Sequence, residues 1–434
     1  MSTVVALREP EPDTRVALVP DVVGQLVRKG IDVVIQAGAG TGALHTDEAY
    51  TQAGATVQSG AELARALSDA AVLVHVNPLS SDRVAALPPG IITLGLTGGA
   101  GPAVAEPLRT AGVTALSFEK LPRTSRAQVM DVLSSQALVA GYRAVLEAAI
   151  RLPRFFPLAM TAAGTVPPAK VIVLGVGVAG LQAIATARRL GASVAANDIR
   201  PDSAQEVASV GAEFIDVGIT PAADAGGYAR DLEAEAARRQ QDILAEHIAG
   251  ADVLITTAAV PGRPAPRLVS ATAVAAMRPG SVVVDLAAAT GGNVEGSTPG
   301  VEKQVPCTRG GGSVTVLGVA SAPSDMPIDA SRLFARNVAE VLTAMLDDEG
   351  TLVVKPDDDL LAGMCLTDLD PQQHPPHQGA PHQHQDASHQ HQDLSEQGRP
   401  DDSPNDSPPE QRPQRESAPH ENPPGHSVTR PGEQ

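Results

Sequence analysis

The stretch of this chain that most restricts its fold is a glycine-rich turn between an apolar run and an amphipathic run. Residues 170–200 read KVIVLGVGVAGLQAIATARRLGASVAANDIR. Gly175, Gly177 and Gly180 have the spacing G-x-G-x-x-G, which permits a tight turn, close approach of backbone to a pyrophosphate, and close packing of a helix on a strand. We therefore predict a Rossmann βαβ unit that binds a dinucleotide at this turn, with Val178 and Ala179 among the contacting residues.

The predicted strand that follows the helix ends in Asp198, 23 residues after Gly175. A carboxylate at this place accepts hydrogen bonds from both ribose hydroxyls and repels a 2′-phosphate. The expected cofactor is NAD(H) rather than NADP(H), with Ile199 and Arg200 also among the cofactor-binding residues. The alternative is a Rossmann domain whose glycine-rich turn no longer binds a nucleotide.

Short β-type runs alternate with helical runs on both sides of a long helix predicted from about Met130 to Arg151. This alternation is typical of doubly wound α/β domains. The strands expected in the first series are Thr3 to Leu7, Asp32 to Gln36, Ala71 to Val76, Ile91 to Leu94 and Thr114 to Ser117. Those expected in the second series cover 171–175, 192–198, 251–257, 281–287 and 313–318.

The two series predict an α/β fold of two doubly wound Rossmann-like domains with parallel sheets. The first domain is expected at residues 1–131 and the second, which carries the nucleotide site, at 132–321. Helical periodicity over 326–346 predicts a helix that returns to the first domain, so that 322–366 would complete it. The ordered region is rich in small aliphatic residues and poor in aromatics, which suits helices packed closely on parallel strands.

The end of the chain has a different composition. Residues 367–434 are mostly Pro, Gln, His, Asp and Ser, and too few large aliphatic side chains are present to offset the entropy cost of ordering. We predict a disordered tail. It holds eight of the eleven histidines, and although such tracts bind transition metals weakly, no fixed ligand geometry is encoded, so we predict no metal site.

Charge and cysteine content exclude several classes of protein. The formal net charge is −18, and no basic stripe is present to neutralise phosphates, so we expect no nucleic-acid partner. Cys307 and Cys365 are too few for a disulfide framework, which indicates a reducing, cytoplasmic setting. We expect no secretory signal at the N-terminus, which has neither a basic start nor an apolar core. The longest apolar run, 171–187, is interrupted by three glycines and Gln182. No segment is expected to insert into a membrane.

A second informative run, LPRTSRAQVMDVLSSQALVAGYRAVLEAA, occupies residues 121–149. Its first half holds four polar residues of interest: Arg123, Gln128, Asp131 and Ser134. In one interpretation Asp131 or Ser125 caps the long helix and the arginines are solvated. In the other, the run is a loop that binds the cofactor.

With the next segment, FFPLAMTAAGTVPPAKVIVLGVGVAGLQAIATA, this run resembles the NAD(H)-binding domain of the alpha subunit of proton-translocating NAD(P) transhydrogenases. The strings PR-x-SRAQ-x-MD-x-LSSQ and TAAGTVPPA are long and specific, and with weaker motifs the resemblance covers about residues 4–366. It implies that Arg123, Gln128 and Asp131 reach over the nicotinamide and its ribose, and that Ser134 holds the carboxamide.

The resemblance extends to AGGYARDLEAEAARRQ, residues 225–240, which is similar to the family's mobile loop. It implies that Tyr228 closes on the bound nucleotide, with Gly226 and Gly227 as hinges. The alternative is a flexible connection with an exposed tyrosine.

The activity implied by the resemblance is hydride transfer between NAD(H) on this chain and NADP(H) on a partner subunit, coupled to proton translocation. Such transfer requires two C4 atoms in near-attack geometry without water, but neither acid nor base, because no proton moves with the hydride. The family also implies the Si/Re-specific reaction type, a homodimer, membrane-spanning and NADP(H)-binding partner subunits, and a peripheral position on the cytoplasmic face of the plasma membrane.

Two other functions remain open. Alanine dehydrogenases share the architecture and the run DTRVALVP, residues 13–20, but they need a lysine and a histidine to handle the substrate's carboxylate and proton. The segment that corresponds to their lysine motif, 74–80, has no lysine, and the segment that corresponds to their histidine, 91–101, has no histidine. His75 lies at the end of a predicted strand, where we expect it to be packed or hydrogen-bonded rather than catalytic.

The second alternative is a non-catalytic subunit that senses NAD. Two departures from the family pattern motivate it. Ala289 stands where the family usually has an acidic residue, and Ser321 where it usually has asparagine.

Overall fold

Runs of buried Val, Ile and Leu form the strands of two sheets, and the computed structural model describes residues 2–200, 202–218, 241–259 and 264–367. All of these residues belong to one compact unit. The first sheet has six parallel strands in the order β3-β2-β1-β4-β5-β6. Their bounds are β1 Thr3–Ala6, β2 Asp32–Gln36, β3 Thr56–Gln58, β4 Val72–Val74, β5 Ile92–Gly95 and β6 Thr114–Ser117.

Helices cover both faces of this sheet, which is why its central strands are apolar on both sides. They are α1 Pro20–Arg28, α2 Asp47–Gln52, α3 Gly60–Ser68, α4 Ser81–Ala85 and α5 Pro102–Thr110. A long helix, α6 Val132–Arg151, then leads to a two-stranded hairpin made of β7 Ala159–Thr161 and β8 Gly164–Val166.

The second sheet has seven strands in the order β11-β10-β9-β12-β13-β15-β14. They are β9 Lys170–Leu174, β10 Ser193–Asn197, β11 Glu213–Phe214, β12 Val253–Thr256, β13 Val282–Asp285, β14 Val301–Pro306 and β15 Ser313–Gly318. The accompanying helices are α7 Val178–Arg189, α8 Ser203–Ser209, α9 with its described residues at 241–249, and α10 Ala271–Ala275.

The last described segment packs back on the first sheet through α11 Pro327–Met345 and α12 Asp359–Met364. Phe334 of α11 stacks edge-on against Phe118, with ring centroids 5.8 Å apart. Beyond α12, the backbone N–H of Leu366 donates to the carbonyl of Ala115 at 2.8 Å, so the chain extends along β6. The first core therefore combines residues from both ends of the described chain.

The predicted fold, two doubly wound Rossmann-like α/β units, is confirmed, and the predicted strands are observed with ends shifted by at most two residues. The parallel-sheet prediction needs one correction, because β14 runs antiparallel to β15 at the edge of the second sheet. Several strands that are short or exposed were not predicted from the sequence: β3, β11, β14 and the β7–β8 hairpin. The predicted tail beyond Thr367 lies outside the described residues.

The helices of the described residues are too short or too polar to cross a bilayer. None of them combines the length and the apolar character that a membrane span requires.

Candidate nucleotide-binding site

The glycine-rich turn joins the end of β9 to the start of α7. Gly175 has a φ of +94°, a conformation that L side chains rarely adopt. A Cβ on Gly180 would lie 1.9 Å from the carbonyl oxygen of Gly175, so only glycine lets the first turn of α7 pack against the turn. A Cβ on Gly177 would meet no heavy atom within 4 Å. The backbone is therefore open at Gly177, as a cradle for an anion at the N-terminus of α7 requires.

Asp198 follows β10 and faces this turn. One carboxylate oxygen accepts a hydrogen bond from the backbone N–H of Val176 at 2.6 Å, and the other accepts from the N–H of Arg200 at 2.9 Å. The Arg200 guanidinium also donates to Asp198 at 3.2 Å and to the carbonyl of Val176 at 3.0 Å. Ile199 between them is 78% exposed. The acidic side chain is thus fixed beside the turn where the first strand of the βαβ unit ends.

The loop ahead of α6 forms a 3-10 turn, Ser125–Met130, whose buried side chains are Ala127 and Met130. Helix α11 holds it in place, because the Asn337 side-chain amide donates to the carbonyl of Val129 at 2.7 Å. Arg123 and Gln128 are exposed on this anchored loop.

Asp131 caps α6. Its carboxylate accepts hydrogen bonds from the backbone N–H of Ser134 at 2.9 Å and from the Ser134 hydroxyl at 2.5 Å. The capping interpretation is confirmed for Asp131, whereas Ser125 instead begins the 3-10 turn. The capping role does not remove Asp131 from the cavity described next, which both Asp131 and Ser134 line.

A cavity of about 590 Å³ lies between this loop and the glycine-rich turn. It brings together six of the residues singled out from the sequence: Arg123, Gln128, Asp131, Ser134, Gly177 and Val178. Ala179 follows in α7, and Gly175, Asp198 and Arg200 lie around the same turn without lining this cavity. Tyr228 and its hinge glycines lie outside the described residues.

Direct backbone contact between α6 and α7 fixes the distance across the cavity. A Cβ on Gly141 would lie 2.1 Å from the carbonyl oxygen of Ala179. The loop ahead of α6, which runs from Arg123 through the 3-10 turn to Asp131, is called the polar loop below. Because Asp131 caps α6 and Gly177 precedes α7, the contact between the two helices holds the polar loop against the glycine-rich turn.

A second cavity, of about 710 Å³, is lined by Asp13, Asn77, Arg143 and Ser321 among others. Arg15 lies beside this cavity and is buried. Its guanidinium forms an ion pair with Asp13 at 2.6 Å and donates to the side chain of Gln136 at 2.9 Å. Burial opposes ionisation of Asp13, but the hydrogen bonds and charge of Arg15 outweigh it and hold the pKa of Asp13 below its usual value.

Of the two residues that depart from the family pattern, Ser321 lines this second cavity, whereas Ala289 is exposed in a 3-10 turn, Ala288–Thr290.

His75 is hydrogen-bonded and buried, as expected. Its Nδ1 lies 2.7 Å from the carbonyl oxygen of Asn77, and the residue is 4% exposed. Burial lowers the pKa of His75 to about 4, partly opposed by the Asn77 carbonyl and by Glu119. It lines a third cavity, of about 230 Å³, which it shares with residues of α4 and α5.

Two acidic residues near strand ends were not singled out from the sequence, and one of them, Glu119, lines the site. Asp285, fully buried at the end of β13, accepts from the Thr256 hydroxyl at 3.0 Å and from backbone N–H groups of the turn that follows. Glu119 lines the 590 Å³ cavity and accepts from the backbone N–H groups of Thr97 and Gly98. An acidic residue at or just after a buried strand is the one sequence signal that both share.

Comparison with known proteins identifies the family. Residues 5–140 match the family model described as alanine dehydrogenase/PNT, N-terminal domain, and residues 144–370 match the corresponding C-terminal domain. The chain belongs to the alanine dehydrogenase/PNT family. The resemblance inferred from the sequence is thereby confirmed.

Within the alanine dehydrogenase/PNT family, the chain is 45% identical over 370 residues to an NAD(P) transhydrogenase alpha-subunit polypeptide of Rhodospirillum rubrum, covering 83% of this chain and 94% of the relative. A solved transhydrogenase from Sinorhizobium meliloti superposes with a TM-score of 0.75 at 41% identity, over 84% of this chain and 98% of that one. Alanine dehydrogenase of Mycobacterium tuberculosis is 34% identical over 289 residues, 66% of this chain and 72% of the relative.

Proposed function

We propose that this chain is the NAD(H)-binding alpha subunit of a proton-translocating NAD(P) transhydrogenase, and that it passes hydride between NAD(H) and the NADP(H) of a partner subunit. The observation that carries the proposal is the shared cavity, where the polar loop faces the glycine-rich turn. Among the described residues that line it, none is a lysine or a histidine. The lining therefore suits hydride transfer, which moves no proton, better than oxidation of an amino acid.

The glycine-rich turn fits a dinucleotide on the geometry of this chain. The backbone of Gly177 is open to an approaching pyrophosphate, and the N–H groups at the start of α7 point toward it. Asp198, with Ile199 and Arg200 beside it, stands where the adenosine ribose of NAD(H) would be held. Gly175 and Gly180 keep the turn tight enough for this contact, with Val178 and Ala179 in the first turn of α7.

In this proposal the polar loop orients the nicotinamide ring of the bound cofactor. We assign Arg123, Gln128 and Asp131 to the nicotinamide and its ribose, and Ser134 to the carboxamide. Bound NAD(H) supplies the hydride. The chain's own residues would orient the ring, because Asp131 and Ser134 are already ordered by their mutual hydrogen bonds. Tyr228 is assigned to closure on the nucleotide.

The apolar cores support the division into domains. Two of them draw on residues from both ends of the described chain, and two on residues between those ends. We propose that residues 1–131 with 322–366 form the first domain and 132–321 the nucleotide-binding domain.

The β7–β8 hairpin supports the proposed homodimer. Its neighbourhood exposes four large apolar side chains: Ile150 at 76%, Phe155 at 59%, Leu158 at 51% and Met160 at 74%. An exposed apolar group of this kind is typical of a protein interface, and a second copy is the occupant that the relatives' family suggests. The membrane-spanning and NADP(H)-binding subunits, the Si/Re-specific type and the position on the cytoplasmic face are included in the same proposal.

The proposal is tested by hydride exchange between NADH and acetylpyridine adenine dinucleotide, measured on the full chain with and without the membrane and NADP(H)-binding subunits. We expect exchange only when the partners and NADP(H) are present. Oxidation of alanine by the chain alone would overturn the proposal in favour of a dehydrogenase. Binding of NADH without exchange in the complete complex would favour a sensing subunit.

A further inference from the structure

An arginine stands beside the expected ribose carboxylate. In Rossmann domains an acidic residue after the second strand accepts from the ribose of NAD(H), whereas a nearby arginine accommodates the 2′-phosphate of NADP(H). This chain has both, Asp198 and, two residues later, Arg200. Residue types alone therefore do not settle how the site rejects NADP(H).

In the structure, the guanidinium of Arg200 already donates hydrogen bonds to three acceptors. Its Nε donates to Asp198 at 3.2 Å, and its Nη2 donates to Glu206 of α8 and to the carbonyl of Val176, both at 3.0 Å. Arg200 is 50% exposed and Glu206 38%, so solvent screens the pair, but two carboxylates share one guanidinium. Burial opposes the charge of Arg200, and the two carboxylates outweigh that effect and raise the pKa of Arg200.

We propose that Glu206 is a specificity-determining residue that helps to exclude NADP(H) from this site by holding Arg200. With Glu206 in place, the three side chains carry a net charge of −1, and Nε and Nη2 of the guanidinium each donate to a carboxylate. A 2′-phosphate would meet a repulsive cluster. Without the Glu206 carboxylate, the cluster is neutral and Nη2 can turn to a phosphate oxygen.

This inference rests on the proposed NAD(H) site and adds a selectivity device to it. Such a device suits hydride transfer between two different coenzymes, because NADP(H) bound at this site would block the NAD(H) that must react there. Glu206 lies on a helix adjacent to the turn rather than in it, and its hydrogen bond to Arg200 spans six positions in the sequence.

The test compares dissociation constants for NADPH and NADH, measured by coenzyme fluorescence on the full chain. Glu206→Gln is expected to tighten NADPH binding about 10-fold, since one charge-assisted hydrogen bond becomes available and one repulsive charge is lost. Glu213→Gln, a matched loss of one exposed carboxylate on β11, is the control and should change neither constant by more than about twofold.

The Arg200→Gln background separates the proposed mechanism from a general loss of negative charge. If Glu206 acts by holding Arg200, then Glu206→Gln tightens NADPH binding clearly less when Arg200 is already Gln, because only the lost repulsive charge still contributes. An equal gain in both backgrounds, or no gain in either, would overturn the inference. The melting temperature of each variant reports that the fold is intact, and failure of the wild-type chain to bind NADH would instead refute the proposed function itself.

Discussion

Asp131 and Ser134 form a closed cap at the start of α6, in which one carboxylate accepts from both the backbone N–H, at 2.9 Å, and the hydroxyl, at 2.5 Å. The same two side chains line the cavity in front of Gly177. The same pair of residues therefore has a structural role and a proposed cofactor-binding role. Variants of either residue must be chosen so that they separate these two roles.

Asparagine caps helices about as well as aspartate, so Asp131→Asn should keep the cap while removing the charge. We expect its melting temperature to match the wild type and hydride exchange to slow about 10-fold, because the charged contact to the nicotinamide ribose is lost. Asp131→Ala should lose both the helix cap and the charged contact, and its free energy of unfolding should fall by about 1 kcal/mol. Hydride exchange at the wild-type rate in Asp131→Asn would mean that Asp131 acts only as a helix cap and does not contact the cofactor.

Five strands of the first sheet and five of the second, counting β15, were predictable because most of their runs are buried and apolar and end at turn residues. Strand β14, Val301–Pro306, was not predicted, because an exposed edge strand carrying Glu302 and Lys303 has no apolar pattern. The glycine-rich turn was predictable from local spacing. The approach of Asp131 to Gly177 was not, because it depends on the packing of Gly141 on α7 and on a contact between distant segments.

Asp198 and Arg123 act at opposite ends of the proposed dinucleotide site, so their variants should affect different steps. Asp198→Ala should raise the dissociation constant of NADH about 10-fold or more, through lost bonds to the ribose and a loosened turn at Val176. Arg123→Ala should change that constant by less than about threefold but slow hydride exchange about 100-fold. Calorimetry with NADH and exchange kinetics measure the two quantities, and equal effects on both would contradict this division.

Gly177 and Gly180 provide a matched pair, since each variant adds one methyl group to the same turn. Gly180→Ala should destabilise the fold by about 3 kcal/mol or more, because its Cβ would lie 1.9 Å from the carbonyl of Gly175. Gly177→Ala has open space around its Cβ and should melt like the wild type, yet bind NADH about 100-fold more weakly because the methyl group occupies the place of the pyrophosphate. Unchanged NADH binding by Gly177→Ala would show that the pyrophosphate lies elsewhere.

His75 should stay neutral far into the acid range. With its Nδ1 against the Asn77 carbonyl, the ring is expected to hold its proton on Nδ1 and to titrate with a pKa of about 4. Because the folded-state pKa lies below the unfolded value of about 6.5, the unfolded state binds the extra proton first. The stability that His75 contributes is therefore complete above pH 6.5 and is lost as the pH falls toward 4, by about 2 kcal/mol at pH 5. Ring ¹⁵N shifts measured from pH 8 down to pH 3, with His75→Gln to assign the signal, report the titration directly. A midpoint near 6.5 would mean that the imidazole is solvated rather than buried.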